Sequence, residues 1–197
     1  MPYEAVVIGV SAGGLLALKT LLPALPPSFP VPVIIVQHIS ERSDGYMVKY
    51  LNQESSITVK EAEDKEPIYS GIAYLAPPGY HLLIELERIF GLSVDARVNY
   101  SCPSIDVLFE SAANVFGESL IGIVLTGANA DGAHGLKVIK EHGGLAIVQN
   151  PKTAQSPAMP KAALAAADAD YVINLEQIAP LLVELTVQEG ENYGTNG

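Results

Sequence analysis

The sequence predicts an α/β fold: a doubly wound, mostly parallel sheet with helices on both faces and a β-hairpin insertion. Short apolar runs rich in β-branched residues recur along the chain and alternate with segments of helical spacing. These runs are continuous rather than alternating, which is typical of parallel strands covered on both faces. Between residues 57 and 98 the pattern changes to short alternating strands broken by turns, and this change predicts the hairpin insertion.

The elements follow one another in a regular order outside that insertion. Strands are predicted at residues 5–10, 31–37, 119–127, 144–149 and 170–175. Helices are predicted at residues 14–24, 44–53, 103–116, 131–142, 159–168 and 176–186. Pro103-Ser104 and Asp131 are helix-start signals, and Gly143-Gly144 is a helix-stop signal. Each of the five strands is therefore followed by a helix, as a parallel sheet requires.

Chain length and composition indicate one folded domain. The 197 residues are 49% hydrophobic and only 17% charged, which is a globular composition with a sizeable core. No linker is long enough to divide the chain. We therefore predict a single catalytic domain over residues 1–187, without a phosphorylatable receiver domain, and a flexible polar, Gly-rich tail over residues 188–197.

Charge and cysteine content exclude several functions. The formal net charge is −11 and the chain has no cluster of Lys and Arg, which argues against nucleic acid as a partner. The single cysteine, Cys102, excludes an internal disulfide framework and a cysteine-based metal site. His81, His134 and His142 lack metal-ligand spacing, so no metal and no cofactor are expected. No signal peptide or membrane span is recognised, and a cytoplasmic protein is predicted.

Ser11 lies in a glycine-rich turn between the first strand and the first helix. A small residue in a tight corner, a phosphate-binding donor and a nucleophile all fit this position. Ser11 stands where a dinucleotide fingerprint has its second glycine, and the second strand ends in Gln37-His38 instead of an acidic residue. Both departures count against nucleotide binding. The Gly-x-Ser-x-Gly pattern also resembles a nucleophile elbow, but alone it does not choose between a turn residue and a nucleophile.

A serine nucleophile needs a base, and the base needs a group that fixes its tautomer. His38 directly follows the second strand, and Asp131 lies in the loop after the strand at 119–127. Each has an ordinary interpretation as well, His38 as a loop histidine and Asp131 as a helix N-cap that stabilises its helix by about 1 kcal/mol. Three complementary groups after three strands together predict a catalytic triad. Their order, Ser–His–Asp, differs from that of ordinary α/β-hydrolases.

Longer motifs across nearly the whole chain resemble one family. They are IGVSAGG at 8–14, VQHIS at 36–40, VKEAED at 59–64, AYLAPPGYHL at 73–82, PSIDVLFES at 103–111, IVLTGANADGAHG at 123–135, and VQNPKTA with AMPKAAL within 148–164. The family is that of the chemotaxis protein-glutamate methylesterases, the catalytic domain of CheB. The resemblance implies a triad of Ser11, His38 and Asp131 on a doubly wound sheet. It also implies hydrolysis of methyl esters on glutamate side chains of chemoreceptors, which releases methanol, and deamidation of receptor glutamines as a second activity.

The resemblance also sets expectations for the oxyanion donors and the partners. The loop that holds Gly127 and Ala128 is expected to supply backbone donors, together with the amide of Ala12. Ala12 and Ala128 stand where the family commonly has Thr and Met, and Cys102 stands where it usually has Arg. The expected partners are methylated chemoreceptor helices or another methylated protein, with no nucleic acid and no membrane insertion. A related serine hydrolase on another ester or amide, or a non-catalytic signalling module, remains the alternative.

Overall fold

The structure is a computed structural model that describes residues 3–40, 43 and 45–186. Its strands are β1 Ala5–Val10, β2 Val33–Gln37, β3 Thr58–Glu61, β4 Ile72–Leu75, β5 His81–Ile84, β6 Phe90–Ser93, β7 Leu120–Val124, β8 Leu145–Gln149 and β9 Tyr171–Ile173. Its α-helices are α1 Gly14–Leu21, α2 Tyr46–Glu54, α3 Ile105–Phe116, α4 Ala133–Glu141, α5 Ala158–Ala166 and α6 Leu175–Thr186. The predicted tail at 188–197 lies outside the described residues.

Seven strands form one parallel sheet in the order β3-β4-β2-β1-β7-β8-β9. All six residues of β1 are buried, and their side chains alternate between two cores. Val7 belongs to the core beneath α3, α4 and α5, whereas Val6 and Ile8 belong to the core beneath α1, α2 and α6. The apolar strands are continuous because each face of the sheet is covered by helices. The predicted doubly wound α/β fold is confirmed.

The middle of the chain differs in part from its prediction. The antiparallel hairpin is present, but it comprises only β5 and β6. Strands β3 and β4, which lie within the predicted insertion at 57–98, instead extend the parallel sheet beside β2. Both are only four residues long, so their sequences are too short to distinguish an alternating pattern from a continuous one. Tyr74 and Leu75 pack into opposite cores, as a sheet covered on both faces requires.

The strand order defines where a ligand can bind. The chain leaves β1 towards β2 on one side, and β7 pairs with β1 on the other. The winding direction therefore reverses at β1, and the carboxyl ends of β2, β1 and β7 border the crevice that this reversal opens. Within the described ranges, no helix is both long enough and apolar enough to cross a bilayer.

Candidate active site

The three predicted triad residues meet at the carboxyl edge of the sheet. Ser11 follows β1, His38 follows β2, and Asp131 lies in the loop between β7 and α4. The sequence alone does not show that these strands are neighbours, but the sheet places β1 directly between β2 and β7. Residues separated by up to 120 positions (11 to 131) are thereby brought to one crevice.

His38 contacts both of the other residues. Its Nδ1 lies 3.2 Å from Ser11 Oγ, and its Nε2 lies 2.8 Å from Asp131 Oδ2. With the ring proton on Nε2, that N–H donates to the Asp131 carboxylate, and Nδ1 is left to accept the Ser11 hydroxyl proton. The imidazole side chain is 13% exposed, so it is screened from most of the solvent while remaining open to a substrate.

Two glycines make the turn at Ser11 possible. The Ser11 N–H donates to Thr126 O at 3.0 Å, and Gly14 N–H donates to Ser11 O at 2.9 Å, which closes the turn into α1. Gly13 has a φ of 83°, in the left-handed region that glycine adopts without strain. A Cβ on Gly14 would lie 1.7 Å from Gln37 Oε1, so no larger residue fits there with Gln37 in place.

Gln37 links the two loops that carry Ser11 and His38. Its buried side-chain Nε2 donates to Ser11 O at 3.0 Å and to His38 O at 2.9 Å. The His38 N–H in turn donates to Val10 O at 3.1 Å. These contacts fix the spacing between serine and histidine through the backbone. In the sequence Gln37 is only a departure from the dinucleotide pattern, and that pattern does not predict this role.

Asp131 is fully buried, yet it accepts several hydrogen bonds besides the one from His38. Ile105 N–H donates to its Oδ2 at 2.7 Å, while Ser104 Oγ and Asn99 Nδ2 donate to its Oδ1, each at 2.9 Å. Burial by itself raises the pKa of Asp131, but the hydrogen bonds, led by that from His38, outweigh burial and hold its pKa below the ordinary value. Asp131 is therefore ionised at neutral pH.

The position of Asp131 relative to the helices differs from its prediction. The sequence predicts that Asp131 begins the helix at 131–142, but α4 begins at Ala133, and its N-cap residue, Gly132, has no side chain that could cap it. The Asp131 carboxylate instead accepts the N–H groups at the start of α3, the helix that packs against α4. Gly132 directly follows Asp131, and a Cβ there would lie 2.7 Å from Ile105 Cγ2, so the glycine allows this loop to approach the start of α3.

Asp106, in the first turn of α3, makes the reciprocal contact. Its Oδ1 accepts the N–H groups of Gly132 at 2.9 Å and Gly135 at 2.7 Å, at the start of α4. Burial, together with the negative charge of Asp131, raises the pKa of Asp106 above its ordinary value despite these hydrogen bonds. Sequence analysis missed this residue, although an acid in the first turn of a helix is a recognisable capping signal.

The expected oxyanion donors divide into two groups. Within the part of the chain that the structure describes, the N–H groups of Ala12 and Ala128 have no hydrogen-bond acceptor. Gly127 differs from these two residues, because its N–H donates to Ser156 O at 3.0 Å. Gly127 is instead a packing position, since an added Cβ would lie 2.5 Å from Met159 Cε.

Asn129 is a further polar neighbour of the site that sequence analysis missed. Its Oδ1 accepts the Asp131 N–H at 3.2 Å, which orients the side-chain amide, and its Nδ2 lies 3.4 Å from His38 Nδ1. Asn129 therefore contacts the same ring nitrogen as Ser11. A lone asparagine in a loop carries no signal by which a sequence could have revealed this contact.

Two clefts open beside His38. The larger, of about 650 Å³, lies between α1 and α2, reaches Ser11 and includes the positive charge of Lys19. The apolar and aromatic side chains that dominate its wall are Leu15, Leu16, Ile39, Tyr46, Met47 and Tyr50. The smaller, of about 250 Å³, includes Arg97 and the half-buried Cys102. Three other basic residues, Lys49, Lys152 and Lys161, line neither cleft.

The remaining histidines lie outside the site. His81 is buried and structural, because its Nδ1 accepts the Ser104 N–H at 3.2 Å and its Nε2 donates to Ala96 O at 3.1 Å. His134 is exposed on α4, 3.6 Å from Glu110. Across the described ranges, no group of three or more His, Cys, Asp or Glu side chains could hold a metal ion.

The site is a chain of hydrogen-bond contacts from a serine to a histidine and on to an ionised aspartate, at the edge of a parallel sheet. This is the arrangement of α/β serine hydrolases. A family model described as CheB methylesterase matches residues 6–182. The chain belongs to the CheB methylesterase family. The family predicted from the sequence, and with it the class of carboxylic-ester hydrolases, is confirmed.

Individual relatives agree with the family match. A Leptospira interrogans protein named as a putative protein-glutamate methylesterase/protein-glutamine glutaminase is 57% identical over 185 residues, covering 94% of this chain and 96% of the relative. A protein-glutamate methylesterase/protein-glutamine glutaminase from Anaeromyxobacter dehalogenans is 40% identical over 183 residues, or 93% of this chain and 53% of the relative. The crystal structure of the Thermotoga maritima CheB methylesterase catalytic domain superposes with a TM-score of 0.90 at 34% identity, covering 94% and 100% of the two chains.

Proposed function

We propose that this chain hydrolyses methyl esters on glutamate side chains of chemoreceptors and releases methanol. The names of its relatives support this substrate, and they support glutamine deamidation as a second activity of the same site. The observation that carries the proposal is the contact of His38 with Ser11 through one ring nitrogen and with Asp131 through the other. We propose the cytoplasm as the location of the enzyme, beside the cytoplasmic helices of such receptors.

The first half of the reaction forms an ester between the substrate and Ser11. Ser11 Oγ attacks the side-chain carbonyl carbon while His38 Nδ1 accepts the hydroxyl proton. The ionised Asp131 stabilises the imidazolium that results. The amides of Ala12 and Ala128 donate to the oxyanion, and removal of one such donor typically raises the barrier by about 3 kcal/mol. His38 then gives its proton to the departing methoxide, and methanol leaves.

The second half reverses the roles of His38. A water molecule enters the place that methanol vacated, His38 Nδ1 takes one of its protons, and the hydroxide attacks the acyl carbon. Collapse of this intermediate returns the proton to Ser11 Oγ and frees the glutamate carboxylate. Deamidation of glutamine follows the same steps with ammonia as the leaving group. The site therefore needs no change of residues to act on either side chain.

The larger cleft is where we propose that the methylated partner lies. It reaches Ser11, and its largely apolar wall suits a neutral methyl ester. The partner is a methylated chemoreceptor helix or another methylated protein.

The first experiment compares wild-type protein with Ser11→Ala on two substrates. Membranes carrying radiolabelled methylated receptor report methanol release, and a small generic ester reports hydrolysis without a protein partner. Wild-type protein should act on both, and Ser11→Ala should lower turnover by several powers of ten. The matched control is Thr20→Ala on α1, the helix that follows Ser11. Among the described residues its hydroxyl donates to Leu16 O alone, so the variant should keep full activity.

Three outcomes separate the hypotheses. Activity of wild-type protein on the generic ester alone would favour a related serine hydrolase with another substrate. Activity on neither would favour a binding module of the same fold. Methanol release by Ser11→Ala at the native rate would contradict the assignment of the nucleophile.

A further inference from the structure

Two buried carboxylates lie on either side of one side-chain amide. Asn99 Nδ2 is 2.9 Å from Asp131 Oδ1 and 2.7 Å from Asp106 Oδ2. Asp131 is fully buried and Asp106 is 5% exposed, so water does little to screen the repulsion between their charges. An amide nitrogen carries two hydrogens, which allows it to donate one to each carboxylate.

The other donors to this pair do not connect the two carboxylates through a side chain. Ile105, Asp106, Gly132 and Gly135 contribute main-chain N–H groups. His38 and Ser104 contribute side-chain donors, but only to Asp131. Among the residues that the structure describes, Asn99 is the only one whose side chain donates to both acids. Two like charges at close range disfavour ionisation of each other, and a shared donor opposes that effect.

The backbone that presents Asn99 adopts an unusual conformation. Val98 and Ser101 close a two-residue turn through N–H···O bonds of 3.1 Å and 2.8 Å. The two central residues, Asn99 and Tyr100, have φ angles of 51° and 62°, in the left-handed region. Asparagine tolerates this region, whereas for a bulky residue such as tyrosine it costs free energy. The Tyr100 side chain is 96% exposed and contributes little packing that could offset the cost.

We propose that Asn99 is a positioning residue for the triad, an inference that rests on the proposed hydrolase function. By donating to both acids, Asn99 keeps Asp131 ionised beside Asp106 and holds its carboxylate so that Oδ2 faces His38 Nε2. Asn99 acts on the reaction through Asp131 and His38 and does not touch the substrate. The left-handed turn at residues 98–101 places this amide between the two carboxylates.

Two substitutions test the proposal without forcing a new backbone. Asn99→Gly keeps the left-handed conformation and removes the donor, and Asn99→Asp keeps the size and replaces the donor with a third carboxylate. Tyr100→Gly is the matched control, because it alters the same turn at an exposed side chain and leaves Asn99 in place. The measurements are kcat and KM on the generic ester, the melting temperature, and the proton NMR signal of the His38 ring N–H, assigned by its loss in His38→Gln.

Both Asn99 variants should lower kcat about 10- to 100-fold, with KM within about twofold of wild type, because the lost contact is a hydrogen bond to a charged group. The ring N–H signal should shift upfield or disappear, and Tyr100→Gly should match wild type in every measurement except melting temperature.

The proposal is overturned if Asn99→Gly retains native kcat and an unchanged ring signal. An equal loss of kcat in Tyr100→Gly with an unchanged ring signal would also overturn it, because that loss would not pass through the contact between Asp131 and His38. If wild-type protein hydrolyses neither substrate, the hydrolase function fails, and the ring signal still tests the Asn99 contact.

Discussion

His38 presents its two ring nitrogens in the opposite sense to the chymotrypsin template, in which Nε2 faces the serine and Nδ1 faces the aspartate. Here Nδ1 faces Ser11 and Nε2 faces Asp131. His38 can still act as the general base in this orientation, because each nitrogen has the same role as its counterpart in the template. One takes a proton from the nucleophile, and the other donates a proton to a carboxylate. This division requires a full negative charge on Asp131, and the hydrogen bonds that the carboxylate accepts maintain that charge.

Asp131→Asn should lower kcat about 10⁴-fold on the generic ester, because the amide neither holds the ring proton on Nε2 nor stabilises the imidazolium. Asp168→Asn, at an exposed aspartate, is the control and should have native kcat.

The same two variants should also differ in how their stability depends on pH. The pKa of Asp131 is about 4 in the unfolded chain and lower in the folded protein, so the ionised carboxylate stabilises the fold at pH values above about 4. This stabilisation is lost as the pH falls through the lower pKa of the folded state.

Urea unfolding between about pH 7 and pH 3 measures that difference. The free energy of unfolding of Asp168→Asn should fall more steeply below about pH 4 than that of Asp131→Asn, which lacks the ionising group. Parallel pH dependences would show that the ionisation of Asp131 does not stabilise the folded state.

Helices α3 and α4 are joined by an exchange of caps. Each helix begins with an acid nearby, and each acid accepts N–H groups from the start of the other helix: Asp131 from α3 and Asp106 from α4. The exchange requires the two helix starts to be very close. Gly135 permits this approach, since a Cβ added there would lie 2.5 Å from Phe109 Cβ and 3.1 Å from Asp106 Cα.

Gly135→Ala should therefore destabilise the protein, although alanine is the better helix former by about 1 kcal/mol. The added methyl group meets a backbone atom of α3, and overpacking of this kind typically costs about 1–3 kcal/mol, roughly 2–12 °C in melting temperature for a chain of this size. Lys137→Ala, at an exposed position of the same helix, is the control and should change stability by less than about 0.5 kcal/mol. Calorimetry of the two variants checks the expectation. A melting temperature for Gly135→Ala at or above that of wild type would show that α3 moves aside without cost.

The sequence predicts elements best where they are long and apolar. Strand β1 and helix α3 lie close to their predicted bounds because a continuous apolar run and a helical period each leave a clear pattern. Strands β3 and β4 are too short to show whether they pair in parallel. The triad can be predicted from the residues directly after strands. Asp106 carries a capping signal, but its contact with α4 depends on how the two helices pack, and Asn99 reaches Asp131 from the turn at residues 98–101; no local pattern encodes either contact.

At the scale of the whole molecule, charge sets a condition on the partner. The chain carries a net charge of −11, so its surface as a whole repels a methylated partner that is itself acidic. The described wall of the larger cleft carries one charged side chain, Lys19, whose Nζ lies 5.4 Å from the centre of the Tyr50 ring. Attraction near the cleft therefore competes with repulsion from the rest of the surface, and the two differ in range. Repulsion summed over the whole molecule acts at longer distance and is screened first by salt.

The rate of encounter with an acidic methylated substrate should consequently rise as salt is added. Between about 10 mM and 150 mM ionic strength the Debye length falls from about 30 Å to about 8 Å, which removes most of the long-range repulsion while contacts inside the cleft persist. We expect kcat/KM on an acidic methylated peptide to increase severalfold over this range. The control is the same peptide with its unmethylated acids replaced by glutamine, and its kcat/KM should change little. A kcat/KM that falls with salt on the acidic peptide alone would show instead that local attraction at the cleft governs encounter, and Lys19→Gln should then abolish that dependence.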